Sequence, residues 1–151
     1  MFVSEAVVVG ASLDQARERL FAQVGHDGLH AAAAGAFADI EKSPGPIGLG
    51  ARHLGLTVHT LPSYRSGPVT VVPLRWYTSS ALDDRFPTMD ANLELQHADP
   101  GTTRLSLTGS CRAATGQPFT GGEQEDARTV IRHFLGHIAE NLTVVQVVPL
   151  R

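Results

Sequence analysis

The sequence contains a single cysteine, Cys111, so no disulfide can form within the chain. Small secreted domains usually depend on several disulfides, whereas one free cysteine is typical of a reducing compartment. The N-terminus lacks a basic segment followed by an apolar run, and no stretch approaches the roughly 18 uninterrupted apolar residues of a membrane-spanning helix. We therefore expect a cytoplasmic protein without an integral membrane segment.

Basic residues are also scarce. Twelve Lys and Arg face fifteen Asp and Glu, which gives a net charge of −3 at pH 7. No basic cluster is dense enough to neutralise a row of phosphates, so nucleic acid is not an expected partner. Of the 151 residues, 42% are hydrophobic and 18% are charged, which excludes a disordered tail. This length and composition predict one globular domain with a sizeable core.

The N-terminal part of the chain predicts one strand and two helices. Residues 2–10 are rich in Val, which favours a strand. Ser12 and Gln15 have the spacing of a capping box, in which a hydroxyl and a carboxamide satisfy free amides at the start of a helix. The apolar residues at helical spacing are Leu13, Ala16, Leu20, Phe21 and Val24 in the first helix, and Leu29, Ala33, Phe37 and Ile40 in the second.

Beyond these helices the hydrophobic period changes to two, which predicts antiparallel strands. Residues 69–78 and 89–96 alternate apolar and polar side chains, and Asp99-Pro100-Gly101 predicts a turn into a strand over 104–111. Because each strand has one apolar and one polar face, we expect a sheet that is covered on one side. The apolar stripe of residues 123–142 predicts the amphipathic helix that covers it.

Three stretches of sequence carry a family resemblance. They are Val72-Pro73-Leu74-Arg75-Trp76, then Phe86-Pro87 leading into Met89-Asp90-Ala91-Asn92-Leu93-Glu94-Leu95, and Thr103-Arg104-Leu105-Ser106-Leu107-Thr108-Gly109-Ser110. With the order of elements, they resemble uncharacterised actinobacterial members of the START-like or SRPBCC superfamily, which includes polyketide cyclase/dehydrase-like and lipid-transfer proteins. The resemblance covers roughly residues 2–142. Cys111-Arg112-Ala113-Ala114 departs from the Tyr-Arg-Pro-Pro type of segment that such relatives carry after the last strand.

The resemblance implies an α+β helix-grip fold, with a curved antiparallel sheet wrapped around the long C-terminal helix and two short helices after strand 1. It implies an apolar cavity that binds or transports a small hydrophobic molecule of the lipid, sterol or aromatic polyketide type. The alternative is a cyclase- or dehydratase-like enzyme that uses the same cavity, and neither reading involves a cofactor. The cavity-facing residues would be Leu56, Val58, Val72, Leu74, Trp76, Met89, Ala91, Leu93, Leu95, Leu105, Leu107, Val130, Ile131, Phe134 and Ile138. The alternation itself fits a filled core equally well.

Four side chains are candidates for polar contacts in such a cavity. Cys111 is in phase with the inward residues of its strand, as a small hydrophobe with no neighbouring histidine to act as a base. His97 is also in phase but lies next to a turn, where it caps the cavity mouth or ends the sheet. Arg75 and Tyr77 are in the outward phase and reach the interior only if a bulge turns the strand.

A metal site is one interpretation of the C-terminal helix. His133 and His137 lie four residues apart, and Glu140 follows on the same side, which is a spacing that metal ligands use. On a helical wheel, however, the two histidines lie about 140° and about 100° from the centre of the apolar stripe. This direction favours solvent or the flank of the helix, so we expect no metal.

The domain is predicted to span residues 1–142, with a tail over residues 143–151. The tail holds four Val within five residues. It either continues the helix as far as Pro149 or adds an edge strand, within the chain or across a homodimer. Both arrangements agree with the sequence.

Overall fold

The structure, a computed structural model, describes residues 1–41, 56–78, 88–112 and 121–143. The elements in chain order are β1 (Phe2–Val9), α1 (Leu13–Gly25), α2 (Gly28–Glu41), β2 (Leu56–Thr60), β3 (Tyr64–Ser66), β4 (Val69–Thr78), β5 (Thr88–His97), β6 (Thr103–Arg112) and α3 (Gly121–Leu142). The tail beyond Thr143, the motif residues 86–87 and 113–114 and the side chain of Leu56 lie outside the described residues.

The strands form one antiparallel sheet in the order β1-β6-β5-β4-β2, and β3 also pairs with β4. The long β5–β6 hairpin closes at a turn in which Thr102 N–H donates to the Asp99 carbonyl over 2.9 Å. Gly101 has a φ of 76° in this turn, a conformation that residues with a Cβ rarely adopt. The sequence predicted these two strands and their turn, and the structure confirms them.

The sheet is buried on one face, as the alternation predicts. Along β5 the residues Met89, Ala91, Leu93 and Leu95 are buried, while the residues between them are partly exposed. The buried stripe of α3 consists of Ala127, Val130, Ile131, Phe134, Leu135, Ile138 and Leu142. This helix contacts β1, β6 and α2. The arrangement is the α+β helix-grip fold that the family resemblance implies.

The capping box predicted for α1 is present. Ser12 N–H donates to Gln15 Oε1 over 3.1 Å, and Gln15 N–H donates to Ser12 Oγ over 3.3 Å. Helix α1 contacts the sheet at β5, and Arg17 Nε of the same helix donates to Thr70 Oγ1 of β4 over 3.2 Å. Ala16 and Leu20 are buried beneath it. In the described ranges, every helix is too short or too polar to cross a bilayer.

Candidate functional site

The predicted cavity-facing residues lie together in the core between the sheet and α3. Those that are buried are Val72, Leu74, Trp76, Met89, Ala91, Leu93, Leu95, Leu105, Leu107, Val130, Ile131, Phe134 and Ile138, and Val58 is partly buried against them. Trp76 and Phe134 meet edge to face, with ring centroids 5.2 Å apart and planes at 78°. Side chains that line a cavity large enough for a ligand would keep accessible surface, whereas most of these have none, so they form a packed core. Ligand contact by these residues stays a prediction.

An apolar pocket of about 390 Å³ opens at the edge of this core, between the end of α1 and the chain that joins β2 to β3. The residues that line it are Phe21, Val24, Gly25, Thr60, Leu61, Pro62, Ser63 and Val72. Val72 is 1% exposed and belongs to the core, whereas Phe21 and Leu61 are 40% and 50% exposed. The pocket therefore leads from exposed apolar side chains to a buried residue that the family resemblance places in the ligand site.

A local irregularity of the sheet edge forms one wall of this pocket. Thr60 pairs with Leu74 and Tyr64 pairs with Val71, so residues 61–63 face only residues 72–73 on β4. Pro62 has no N–H to donate to the neighbouring strand. An extra residue on one strand bends that strand away from its partner. The sequence did not predict β3, because its three side chains are all exposed and carry no apolar alternation.

The structure places three of the four polar candidates on the surface. The register of β4 with β5 is continuous from Thr70 to Trp76, so Arg75 keeps its outward phase and donates to Asp90 Oδ1 over 2.6 Å. Tyr77 is 39% exposed, and His97 is exposed at the end of β5. Arg75 and Tyr77 therefore keep the outward phase that the sequence predicts, His97 lies exposed at the end of β5, and contact of these three residues with a ligand stays a prediction.

Cys111 lies inside, as its phase predicts. It is fully buried in the core, next to the N-terminus, where the Met1 amine donates to the Cys111 carbonyl over 2.9 Å. Burial raises the pKa of the thiol to about 11, and the positive N-terminus opposes this rise only in part. The raised pKa disfavours the thiolate, which is the nucleophilic form, and burial limits access to the sulfur.

His133 and His137 lie on the flank of α3, where both contact Asp39 of α2. Asp39 Oδ2 is 3.1 Å from His133 Nδ1 and 2.7 Å from His137 Nε2. The surrounding depression of about 240 Å³ is lined by Asp39, Arg132, His133, Gly136, His137 and Glu140. Within the described ranges, no group of three His, Cys, Asp or Glu side chains has an arrangement that could hold a metal ion.

The sequence analysis did not single out Gln23, whose buried carboxamide is an unusual feature of the structure. Its Nε2 and Oε1 atoms are both buried and have no hydrogen-bond partner in the described part of the chain. A carboxamide is rarely left in this state, because a buried polar group without a partner costs about 1–3 kcal/mol. The signal was available in the sequence, since Gln23 lies three residues after the core residue Leu20 and shares its side of α1.

Comparisons with known proteins reveal similarity in fold. No family model and no curated protein matches the sequence. A solved structure of a hypothetical protein from Helicobacter pylori is similar with a TM-score of 0.52 and 9% identity, over 93% of this chain and 86% of that protein. The Zhui aromatase/cyclase from Streptomyces sp. R1128 is 18% identical, over 94% of this chain and 93% of that protein, with a TM-score of 0.37. The chain thus shares its fold with the Helicobacter protein.

Proposed function

We propose that this protein is a START-like protein that binds a small hydrophobic molecule of the lipid, sterol or aromatic polyketide type. The observation that carries the proposal is the apolar pocket of about 390 Å³ that reaches the buried residue Val72. Sites for small molecules in proteins commonly have volumes of about 300–1,000 Å³ and mostly apolar walls. The pocket would hold the ligand at the edge of the core, with the buried residue Val72 at its inner end.

The chemistry of the pocket supports a hydrophobic ligand. Among the lining residues that the structure describes, none is charged, and the Thr60 and Ser63 side chains supply only hydroxyl groups. Transfer of apolar surface from water into such a site gains about 25 cal/mol per Å². A phosphate or carboxylate group would lose its hydration here without gaining a cationic partner from the lining. Nucleotides and other highly charged ligands are therefore disfavoured.

Binding is favoured over catalysis by the positions of the polar candidates. Arg75, Tyr77 and His97 lie at the surface, and Cys111 is buried with a raised pKa. General acid or base catalysis needs a titratable side chain within hydrogen-bond distance of the reacting atom. These four residues do not supply such a group in the interior, so a cyclase- or dehydratase-like activity has no specific support.

The proposal is tested with 2-ethylnaphthalene, a small aromatic probe without a polar group. Its dissociation constant is measured by fluorescence titration for the wild type and for two variants with the same substitution. Ser63→Trp fills the pocket, because Ser63 lines it, whereas Ser66→Trp adds an equal side chain to an exposed position of β3 outside it. Native mass spectrometry of the same proteins gives the stoichiometry and detects any apolar molecule that copurifies.

We expect one probe molecule to bind to the wild type and to Ser66→Trp with similar affinity, and at least about tenfold weaker binding to Ser63→Trp, because the added indole occupies the volume that the probe needs. No binding by the wild type would overturn the proposed function. Equal affinities of the two tryptophan variants would show that the probe binds elsewhere, and the pocket would then lose its role.

A further inference from the structure

We infer that the open edge of β1 pairs with the same edge of a second copy of this chain, in a two-fold antiparallel dimer whose sheet continues from one copy into the other. The inference concerns a surface separate from the apolar pocket, so it does not depend on ligand binding there. Strand β1 stands at one end of the strand order, next to β6. The side of β1 that faces away from β6 is therefore a template for another strand.

Alternate residues of β1 present their backbone groups at this edge. The Met1 amine donates to the Cys111 carbonyl over 2.9 Å, and Cys111 N–H donates to the Met1 carbonyl over 2.8 Å. In an antiparallel ladder such pairs recur at every second residue, and the residues between them direct N–H and C=O away from the paired strand. The register of β1 with β6 is continuous, so the residues whose backbone groups face the open edge are Phe2, Ser4, Ala6 and Val8.

Two of these residues also have exposed apolar side chains. Phe2 is 72% exposed and Val8 is 60% exposed, the highest values among the large hydrophobic residues of the described ranges. Their neighbours Val3 and Val9 are buried in the core, so the Phe2 and Val8 side chains lie on the face of the sheet away from α3. A long edge strand with exposed apolar side chains is a typical site of pairing with another chain.

The spacing of these residues favours a second copy as the occupant. A two-fold axis at Glu5 places Phe2 opposite Val8 of the second copy, and Ser4 opposite Ala6 of the second copy. In this register every backbone group that faces the open edge belongs to a hydrogen-bonded pair. Each exposed apolar side chain also covers the other, and an aromatic side chain opposite a β-branched one is a favourable cross-strand pair. The edge of β1 is therefore complementary to itself, as a two-fold interface requires.

The charges beside β1 are balanced. The two Glu5 side chains would meet near the axis, and like charges directly opposite each other destabilise a strand pair. Each Glu5 has its own counter-ion, however, because Arg132 Nε donates to Glu5 Oε1 over 3.2 Å. Arg132 Nη1 also lies 3.9 Å from Glu125 Oε1, and Arg128 lines the groove of about 360 Å³ beside the first half of β1. Two carboxylates thus accompany two guanidinium groups at each edge, so the approach of two copies adds no net charge.

The opposite edge of the sheet differs from β1 in its construction. It consists of β2 with five residues and β3 with three, and residues 61–63 interrupt the pairing with β4 between them. Pro62 in this interruption has no N–H to donate. Short strands, proline and irregular register are features that protect edges from pairing. Strand β1 has eight residues in continuous register and contains neither proline nor lysine, so we expect association at β1.

The size of the contact predicts a weak dimer. An eight-residue strand is about 27 Å long, so a strip about 15 Å wide that includes the flank of α3 covers roughly 400 Å² on each copy. A standard protein interface covers about 800 Å² on each partner. We therefore expect a reversible equilibrium between monomer and dimer, with a dissociation constant on the order of 10–100 μM.

The test measures the dissociation constant of the dimer by sedimentation equilibrium, from about 5 μM to about 500 μM protein. Ala6→Pro removes an N–H that faces the open edge, a position at which an edge strand tolerates proline. Ala6→Thr keeps this N–H and is the matched control. Val8→Lys places a charge opposite Phe2 of the second copy, and Tyr64→Lys is its control at an exposed residue of β3. Thermal unfolding verifies that each variant is folded, and the two lysine variants suffice if Ala6→Pro does not fold.

Amide hydrogen exchange, followed by NMR at the two ends of this concentration range, identifies the strand that pairs. The amides of Ala6 and Val8 face the open edge, whereas those of Glu5 and Val7 face β6. The second pair is an internal control, because its hydrogen bonds lie within one copy.

We expect the wild type, Ala6→Thr and Tyr64→Lys to dimerise alike, and Ala6→Pro and Val8→Lys to raise the dissociation constant at least about tenfold. The amides of Ala6 and Val8 should exchange more slowly at the higher concentration, and those of Glu5 and Val7 equally slowly at both. A wild type that is monomeric throughout would overturn the inference, and so would a dimer that Ala6→Pro and Val8→Lys leave unchanged. Slow exchange of the edge amides in a monomer would identify a segment of the same chain as the occupant, which would also overturn it.

Discussion

Asp39 of α2 and His137 of α3 are joined by a contact of 2.7 Å between Oδ2 and Nε2, and His133 shares the same carboxylate oxygen at 3.1 Å. One side chain thus links α2 to two successive turns of α3. The hydrogen bond to His137 is the main reason that the pKa of Asp39 lies below its ordinary value, while burial acts in the opposite direction. The Asp39 side chain is 32% exposed, so water screens part of the interaction.

Replacement Asp39→Asn should therefore destabilise the protein at neutral pH by about 1 kcal/mol, because the neutral amide is a weaker acceptor than the carboxylate. A lowered pKa in the folded state means that the stabilising effect is fully present above the unfolded value of 3.8 and is lost as the pH falls through the folded value. Urea unfolding at pH 7, 5 and 2.5 measures this difference.

The matched control is Glu140→Gln, a substitution of the same kind in the same depression. It should leave the free energy of unfolding nearly unchanged at each pH. An Asp39→Asn effect that does not decrease as the pH falls below 3.8 would contradict the role assigned to the carboxylate, and so would equal effects of the two substitutions at pH 7.

Two helical glycines provide a second test of the same contact. A Cβ at Gly35 would lie 3.1 Å from His137 Nε2, whereas a Cβ at Gly136 would meet nothing within 4 Å. Gly136→Ala should raise the free energy of unfolding by about 0.5–1 kcal/mol, because alanine favours the helix. Gly35→Ala should gain less or lose stability, since His137 must shift from Asp39. Chemical unfolding of both variants measures the gains, and equal gains would mean that His137 moves freely.

The predictions that succeeded depend on short stretches of sequence. The capping box at Ser12 needs only residues within one helical turn, and the buried residues of β5 follow from a period of two within one strand. The outward phase of Arg75 also follows from a period of two within one strand. The register between β4 and β5 is continuous, so Arg75 keeps that phase in the structure. Each of these features follows from the geometry of one helical turn or one strand, without knowledge of which elements pack together.

The features that the sequence missed depend on how elements meet. Asp39 and His137 are 98 residues apart, so their contact requires the packing of α2 on α3. A helical wheel places His137 on a flank but does not name the neighbour on that flank. The pocket likewise requires the interruption between β2 and β3, where Pro62 faces β4 across an irregular register. Periodicity carries no information about such relationships.

The edge-to-face pair of Trp76 and Phe134 predicts a measurable optical change. Trp76 is the sole tryptophan, so its emission reports on the interface between β4 and α3. Phe134→Leu removes the ring and should lower the free energy of unfolding by about 1–2 kcal/mol, with a shift in native emission. Phe21→Leu, at a residue that is 40% exposed, should change stability by less than about 0.5 kcal/mol and leave the emission unchanged. An unchanged native spectrum in Phe134→Leu would contradict the pairing.

The buried thiol of Cys111 predicts slow chemistry in the native protein. Because burial raises its pKa to about 11, roughly one molecule in 1,000 carries a thiolate at pH 8, and access to the sulfur is also blocked. Ellman's reagent should therefore react with the folded protein at least about 100-fold more slowly than with protein in 6 M guanidinium chloride. The denatured protein is the matched control, because Cys111 is the sole cysteine. Rapid reaction of the folded protein would show that the Cys111 sulfur is accessible to the reagent, and would contradict its assignment to the core.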